Sequence, residues 1–335
     1  MAQQNVETAA YATGSPFRDP EDVVGELMTS REVMAHAGLD WSVEKRPLFA
    51  RLSDEDEDPR YTPNAADTRF GLVRDTDSKM LGICGTRYAP LQNVEALDFA
   101  DGLLKDGVMR YEMAMALHGG RKVVALARMG EDYMIGDDHY TNYMLFKWGH
   151  DGGQAVQVFP TNVRMECSNM LTMATNTAKG KKNFISIAHD SRMEARLAAA
   201  SKALQITTEV QRRTAQFLER ALTIKVDPEK DVAAIVEDIF GKALDQKDGE
   251  YSDRKASGIV RYRAIAEEEI KRTGPNLYSL IQGMTGYADW GTPKVQKDMG
   301  AHVEWVVDGS GLWIKRTNMP KLLERFGLEK ELVLA

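Results

Sequence analysis

The chain has 335 residues, 43% of them hydrophobic, enough to bury a full core as one large domain or two smaller ones. No stretch nears the roughly 18 uninterrupted apolar residues of a membrane span, and the start Met1-Ala2-Gln3-Gln4-Asn5 has neither a basic flank nor an apolar core, so no secretory signal is visible and a cytoplasmic location is expected. The net charge of −7 argues against a nucleic-acid partner, but it belongs to one end: residues 1 to 60 hold 13 Asp or Glu against 6 Lys or Arg, and the remainder is neutral.

Residues 1 to 19 are polar, small and aperiodic, and read as a disordered tail. Thr29 with Glu32 forms a capping-box pattern ahead of a short helix that ends at Gly38. Trp41 to Phe49 alternates weakly, with Pro47 assigning it to a sheet edge. The run Asp54-Glu55-Asp56-Glu57-Asp58 then reads as a solvated loop, with mimicry of nucleic-acid phosphates the sharper alternative.

Phe70 to Arg74 and Met80 to Cys84, joined by Asp75-Thr76-Asp77-Ser78, predict a hairpin. Asn93 is placed to cap a helix through Leu104 that stops at Gly107. A second hairpin spans Met109 to Leu117 and Arg121 to Met129 around His118-Gly119-Gly120. A third joins Tyr140 to Trp148 and Gln154 to Val163 around His150-Asp151-Gly152-Gly153, and leads into a helix from Cys167 to Thr177. Hairpins interrupted by a helix, rather than regular βαβ units, point to an antiparallel α+β domain over residues 20 to 190.

Beyond His189 the pattern becomes helical. Ser191 with Glu194 opens a helix that reaches toward Leu222, with Met193, Leu197, Ala200 and Leu204 on one face. Asp227-Pro228 supplies a cap and a first-turn proline for another, and Ser252 to Thr273 and Leu277 to Trp290 complete a mainly helical region over 191 to 335.

Three chemistries compete for these residues. Cys167, at a strand-to-helix corner, could be an activated thiol with His150 and His189 nearby, yet its neighbours match no nucleophile motif and a buried structural cysteine is the plainer reading. Cys84 and Cys167 are the only cysteines, too few for a disulfide framework or a paired CxxC zinc site. Asp137-Asp138-His139 and His150-Asp151 lack metal-site spacing, and the glycine pairs 119-120 and 152-153 form no phosphate-cradling loop, so they read as turns and no cofactor is expected. The third chemistry is a single-strand surface. Arg121, Lys122, Lys147, Arg164, Lys179, Lys181 and Lys182 gather at hairpin ends and at the corner, with Trp148, Tyr143 or Phe184 as flat partners for bases.

Tyr88 to Asn93, His118-Gly119-Gly120-Arg121, His150-Asp151-Gly152, and Val163-Arg164 through Cys167, Asn169 and Leu171 occur in the order that resembles the phage- and plasmid-borne family catalogued as domain of unknown function 932. The resemblance runs from Leu39 to His189 and weakly beyond, and departs at Met165 and Glu166, where an aliphatic residue is expected. The family's setting and its hairpins-plus-helix pattern are similar to the single-strand annealing proteins of the RecT and Red-beta type. That similarity implies single-stranded DNA binding and strand annealing without ATP, rings or filaments of subunits, a helix after Ser191 that aids assembly, and a phage or host recombination or replication partner. The alternatives are an interaction protein that engages a host factor through its acidic N-terminal region, and a cysteine hydrolase.

Overall fold

The computed structural model describes residues 6–13, 15–16, 23–25, 29–51, 61–63, 69–104, 109–165, 169–171, 185–190, 204–241, 252–292, 299–307 and 309–328. Fourteen strands and eight helices lie among them, with antiparallel pairings dominant, so the fold is α+β as the hairpin pattern predicts. The chain divides into two compact units that interleave in sequence. The first comprises Met1–Arg128, Met144–Val158 and Ile185–Leu204; the second comprises Met129–Tyr143, Phe159–Phe184 and Gln205–Ala335.

In the first unit, β1 (Val6–Ala12) pairs antiparallel with β8 (Met109–Leu117), Tyr11 opposite Met113. This corrects the expectation of a disordered tail up to residue 19. Small residues at Ala9, Ala10 and Ala12 carry little sequence signal, but the hydrogen-bonding edge of β8 orders them, and Ala10, Tyr11 and Ala12 are buried. The short β2 (Val23–Gly25) runs parallel to β1. The strands follow the order β12 (Val156–Arg164), β11 (Asp138–Gly149), β9 (Lys122–Met129), β8, β1, β2, and β14 (Ile185–Ile187) pairs with β12 from Val156 to Val158. Tyr111 and Met113 to Leu117 of β8 are all fully buried, which requires apolar cover on both faces and explains a near-continuous apolar run in place of strict alternation.

Helix α1 (Ser30–His36) begins at the predicted capping box: Thr29 and Glu32 exchange side-chain-to-backbone hydrogen bonds. A second, three-stranded sheet has the order β3 (Val43–Pro47), β6 (Arg69–Arg74), β7 (Met80–Gly85), so the Pro47 segment is an edge strand as expected. β4 (Phe49–Arg51) and β5 (Tyr61–Pro63) form a separate pair, and the acidic run between them lies outside the described residues. Helix α2 (Asn93–Leu104) packs on β8, where the Tyr111 hydroxyl lies in hydrogen-bond reach of the Leu97 carbonyl and of Asp101.

In the second unit, β10 (Tyr133–Ile135) folds back on the start of β11 through Gly136. β13 (Asn169–Leu171) pairs antiparallel with the end of β12, Val163 opposite Met170. The sequence predicts a helix from Cys167 to Thr177, so residues 169–171 are a correction. Backbone chemistry explains it: the Met170 N–H donates to Asp289 at 2.8 Å and its carbonyl accepts from Lys315 Nζ at 2.7 Å, partners that no local propensity reveals. Residues 166–168 and 172–184 lie outside the described residues.

The helices are α3 (Leu204–Thr223), α4 (Pro228–Phe240), α5 (Asp253–Thr273), α6 (Leu277–Trp290), α7 (Met299–Val307) and α8 (Ser310–Arg325). Asp227 caps α4 ahead of Pro228, as predicted, accepting from the N–H groups of Glu229 and Lys230. α6 is capped by Asn276 and buried nearly all round, with Gly283 allowing its backbone to approach Ala266 of α5. Tyr262, Leu280, Ile281, Met284 and Leu323 belong to the apolar core that these helices enclose.

Candidate functional site at the hairpin ends of the first unit

The sequence marks Asn93 as the cap of α2, and its side chain does something else. It turns inward, 1% exposed, and its Nδ2 donates to the Leu39 and Trp41 carbonyls at 3.1 and 3.4 Å. Its Oδ1 accepts from Trp148 Nε1 and lies 2.9 Å from His150 Nε2. Helix start duties pass to Gln92, whose carbonyl accepts from Ala96 and whose N–H donates to Glu95. Three distant segments therefore meet on one amide.

The loop before α2 is held just as firmly. Lys45 Nζ donates to the Thr86 and Tyr88 carbonyls at 2.7 and 3.1 Å, and the Ala89 N–H donates to the His189 carbonyl. The Tyr88 ring stacks on His189 at 4.9 Å while its hydroxyl donates to the Gly149 carbonyl. Burial pushes the Tyr88 phenol well above its ordinary value and lowers both histidines, His150 to about 3. Both rings are neutral at physiological pH.

The turn at 150–153 closes against β7. Asp151 Oδ1 accepts from the Gly153 and Gln154 N–H groups, and a Cβ on Gly82 or Gly152 would overlap the backbone of the opposite segment, Asp151 or Ile83. The turn after β8 sits beside Lys79, whose ammonium occupies the space a side chain at Gly119 would need. Arg74 clamps β1 to the β6–β7 hairpin, with both terminal nitrogens on Glu7 at 2.8 Å and further bonds to Asp77. The Arg74 hydrogen bonds hold both carboxyls below their ordinary range.

The described residues among those singled out for a strand surface differ in exposure. Arg121 is exposed and Lys122 partly so. Trp148 is 1% exposed, with its N–H bound to Asn93, so no ring face is open to a base; Tyr143 is fully buried as well. Lys147 is buried. Arg164 belongs to the second unit and is 3% exposed, forming a bidentate pair with Glu269 and a longer contact to Asp138. Arg272 bridges the same two carboxylates, and Tyr278 donates to Asp138. Burial opposes ionisation of Asp138 and Glu269, but hydrogen bonds from the guanidinium groups outweigh it and hold both below the usual range. These three assignments are corrected: Lys147, Trp148 and Arg164 serve the interior, because strand alternation alone cannot tell which face a sheet covers. Lys179, Lys181, Lys182, Phe184 and Cys167 lie outside the described residues.

Beside the Tyr88–His189 stack is a cleft of about 980 Å³ lined by Gly85, Thr86, Arg87, Tyr88, Ala89, His189 and Asp190. Sequence reasoning notes His189 only as a neighbour for Cys167 and passes over Arg87; the signal available is the Tyr88 to Asn93 block. Among the described residues no trio of His, Cys, Asp or Glu is placed to hold a metal ion, and no helix is long and apolar enough to cross a membrane. The buried Cys84 thiol is raised by burial, the opposite direction from an activated nucleophile.

Hairpin ends closing on a buried polar hub define an α+β protein in which the blocks at Tyr88–Asn93, His118–Arg121 and His150–Gly152 meet within the first unit. The chain belongs to the family described as Domain of unknown function (DUF932), whose model matches residues 80–306. That range starts after the resemblance read from Leu39 and extends well past His189, through nearly all of α7. No curated protein and no solved structure matches the chain.

Proposed function

We propose that this chain binds single-stranded DNA and anneals complementary strands without a nucleotide cofactor, as a phage- or plasmid-encoded oligomer of the RecT and Red-beta type. The observation that supports the reading is the cationic end of the first unit: exposed Arg121 and partly exposed Lys122 follow one hairpin turn, and Lys79 from the neighbouring hairpin lies against Gly119 of that turn. Cations on adjoining turns suit a flexible polyanion, whose affinity comes mainly from phosphate contacts and counterion release. Lys179, Lys181 and Lys182 remain part of the proposed surface, whereas Lys147, Trp148 and Arg164 do not.

The test is an annealing assay without ATP across a salt series, with particle size followed in parallel. Arg121→Glu with Lys122→Glu weakens strand binding and lowers the slope of log affinity against log salt by roughly 0.7 for each phosphate that the protein no longer neutralises. An unchanged slope in the double variant, or no annealing by the parent protein, overturns the reading.

A further inference from the structure

We propose that the outward face of α5 is a two-fold contact between two copies of this chain, with the paired helices antiparallel. The inference stands apart from the strand-binding reading, because it rests on one helix surface and needs no nucleic acid. The inner side of α5 buries Gly258, Tyr262, Ala266 and Glu269. Its opposite side carries Asp253, Ser257, Val260, Ala264, Glu267 and Lys271, all exposed. Steps of four, three, four, three and four residues separate them, the heptad rhythm that keeps one seam of a helix turned toward a partner helix. Val260, at 68%, is the most exposed large apolar side chain among the described residues. None of the six side chains has a hydrogen-bond or ion-pair partner among the described residues.

The occupant follows from how the stripe reads against itself. An antiparallel copy, turned about an axis level with Tyr262, sets Val260 over the partner's Ala264, a large side chain over a small one. The same register sets Ser257 opposite the partner's Glu267 and Asp253 opposite the partner's Lys271, and on the flank Arg254 runs beside the partner's Glu268. Each pairing occurs twice by symmetry. A parallel pair would set every one of these charges against its own kind, so charge selects the antiparallel arrangement. The like charges nearest the axis are already engaged: Arg261 donates to the Gly291 carbonyl at 2.7 Å, and Arg263 lines a groove that it shares with Glu229 and Glu267. That groove, about 360 Å³ and floored by Val232 and Ile270, runs beside the C-terminal half of the stripe and adds apolar surface to the contact. Exposed ion pairs contribute little each, so they fix orientation while the apolar centre supplies the attraction. A reversible, concentration-dependent pair is the expected product.

Sedimentation of the full chain over a concentration series, without nucleic acid, reads the contact. Val260→Glu, at a site open to solvent, is expected to halve the particle mass. Arg254→Glu and Glu268→Arg each set like charges face to face at two symmetric places and should raise the dissociation constant about tenfold, whereas the double variant restores it. Positions 254 and 268 stand about 21 Å apart along one helix, too far to interact within a chain, so recovery in the double variant reports contact between copies. A monomer at every concentration, a particle that Val260→Glu leaves intact, or a double variant no better than the single ones overturns the inference. None of these results bears on strand annealing, which the oligonucleotide assay measures separately on the dissociated Val260→Glu protein.

Discussion

The Oδ1 of Asn93 lies 2.9 Å from the Nε2 of His150 and fixes the tautomer of a ring with no solvent exposure. Because an amide oxygen only accepts, the proton must sit on Nε2. The same oxygen accepts from Trp148, and the amide nitrogen serves Leu39 and Trp41. Asn93→Ala strands two buried donors and two carbonyls at once. The expected loss is about 2–4 kcal/mol in urea unfolding of the first unit; a loss below about 1 kcal/mol would mean that the hub is dispensable.

Acid should weaken both units above the range in which Glu7, Asp77, Asp138 and Glu269 titrate. Burial lowers His150 to about 3, helped by His189, and lowers His302, stacked on Trp290 at 3.7 Å, to about 3. An unfolded histidine titrates near 6.5, so the folded values are depressed and the unfolded chain takes up protons first. The stabilisation is whole above pH 6.5 and is lost as pH falls toward 3, by up to about 1.4 kcal/mol per pH unit for each ring. Glu7, Asp77, Asp138 and Glu269 are lowered from unfolded values near 4, so their contribution fades only below that. Between pH 6.5 and 5 the loss of stability therefore comes from histidine, and in the second unit Asp289, raised by burial, acts in the opposite direction. Denaturation midpoints that stay level from pH 7.5 to 5 would contradict this, and His302→Phe should flatten the transition of the second unit alone.

Local signals are legible where neighbours in sequence are neighbours in space. The Thr29–Glu32 box, the Asp227-Pro228 start, the limits of α6 and the three hairpins follow from caps and turns that act within a few residues. What fails depends on distant partners. Met170 lies in a strand because Asp289 and Lys315 bind its backbone, Arg164 is internal because Glu269 lies 105 residues away, and Ala10 is ordered by β8. At the candidate site, the turn holding Arg121 can be read, but whether Trp148 faces solvent or Asn93 cannot.

Gly152 and Gly130 both have positive φ, at +83° and +55°, yet they should respond differently to alanine. A Cβ at Gly130 meets nothing within 4 Å, so Gly130→Ala carries only the left-handed backbone cost of about 1–2 kcal/mol. At Gly152 the new carbon overlaps the Ile83 carbonyl, which forces the 150–153 turn off β7. Thermal melts should rank Gly152→Ala clearly below Gly130→Ala. Equal losses would show that the turn can move without disturbing β7.

Charge at Arg164 and at Arg121 should separate by location. Arg164→Ala leaves Glu269 and Asp138 buried with Arg272, which is 37% exposed at its side chain, as their remaining cation and Tyr278 as a further donor to Asp138. Breaking such a pair from one side costs about 3–5 kcal/mol. Arg121→Ala, on an exposed turn, should stay within about 0.5 kcal/mol of the parent while lowering strand affinity. Chemical denaturation read beside oligonucleotide binding distinguishes the two; an Arg164→Ala protein as stable as the parent would show that the buried network contributes nothing to the second unit.

Trp313 offers a direct probe of the surface of α8. Trp41 and Trp148 are 7% and 1% exposed, Trp290 and Trp305 are partly buried, and Trp313 is 60% exposed. Fluorescence of the folded chain should accordingly contain one component at long wavelength that acrylamide quenches readily, above a poorly quenched remainder. Trp313→Phe should remove that component and leave stability within about 0.5 kcal/mol, since an exposed side chain contributes little packing. Phe keeps much of the apolar surface, so a change in stability would point to a contact by the indole N–H. If the readily quenched component is missing from the parent protein and appears only on dilution, a second copy of the chain covers α8, and the surface belongs to assembly.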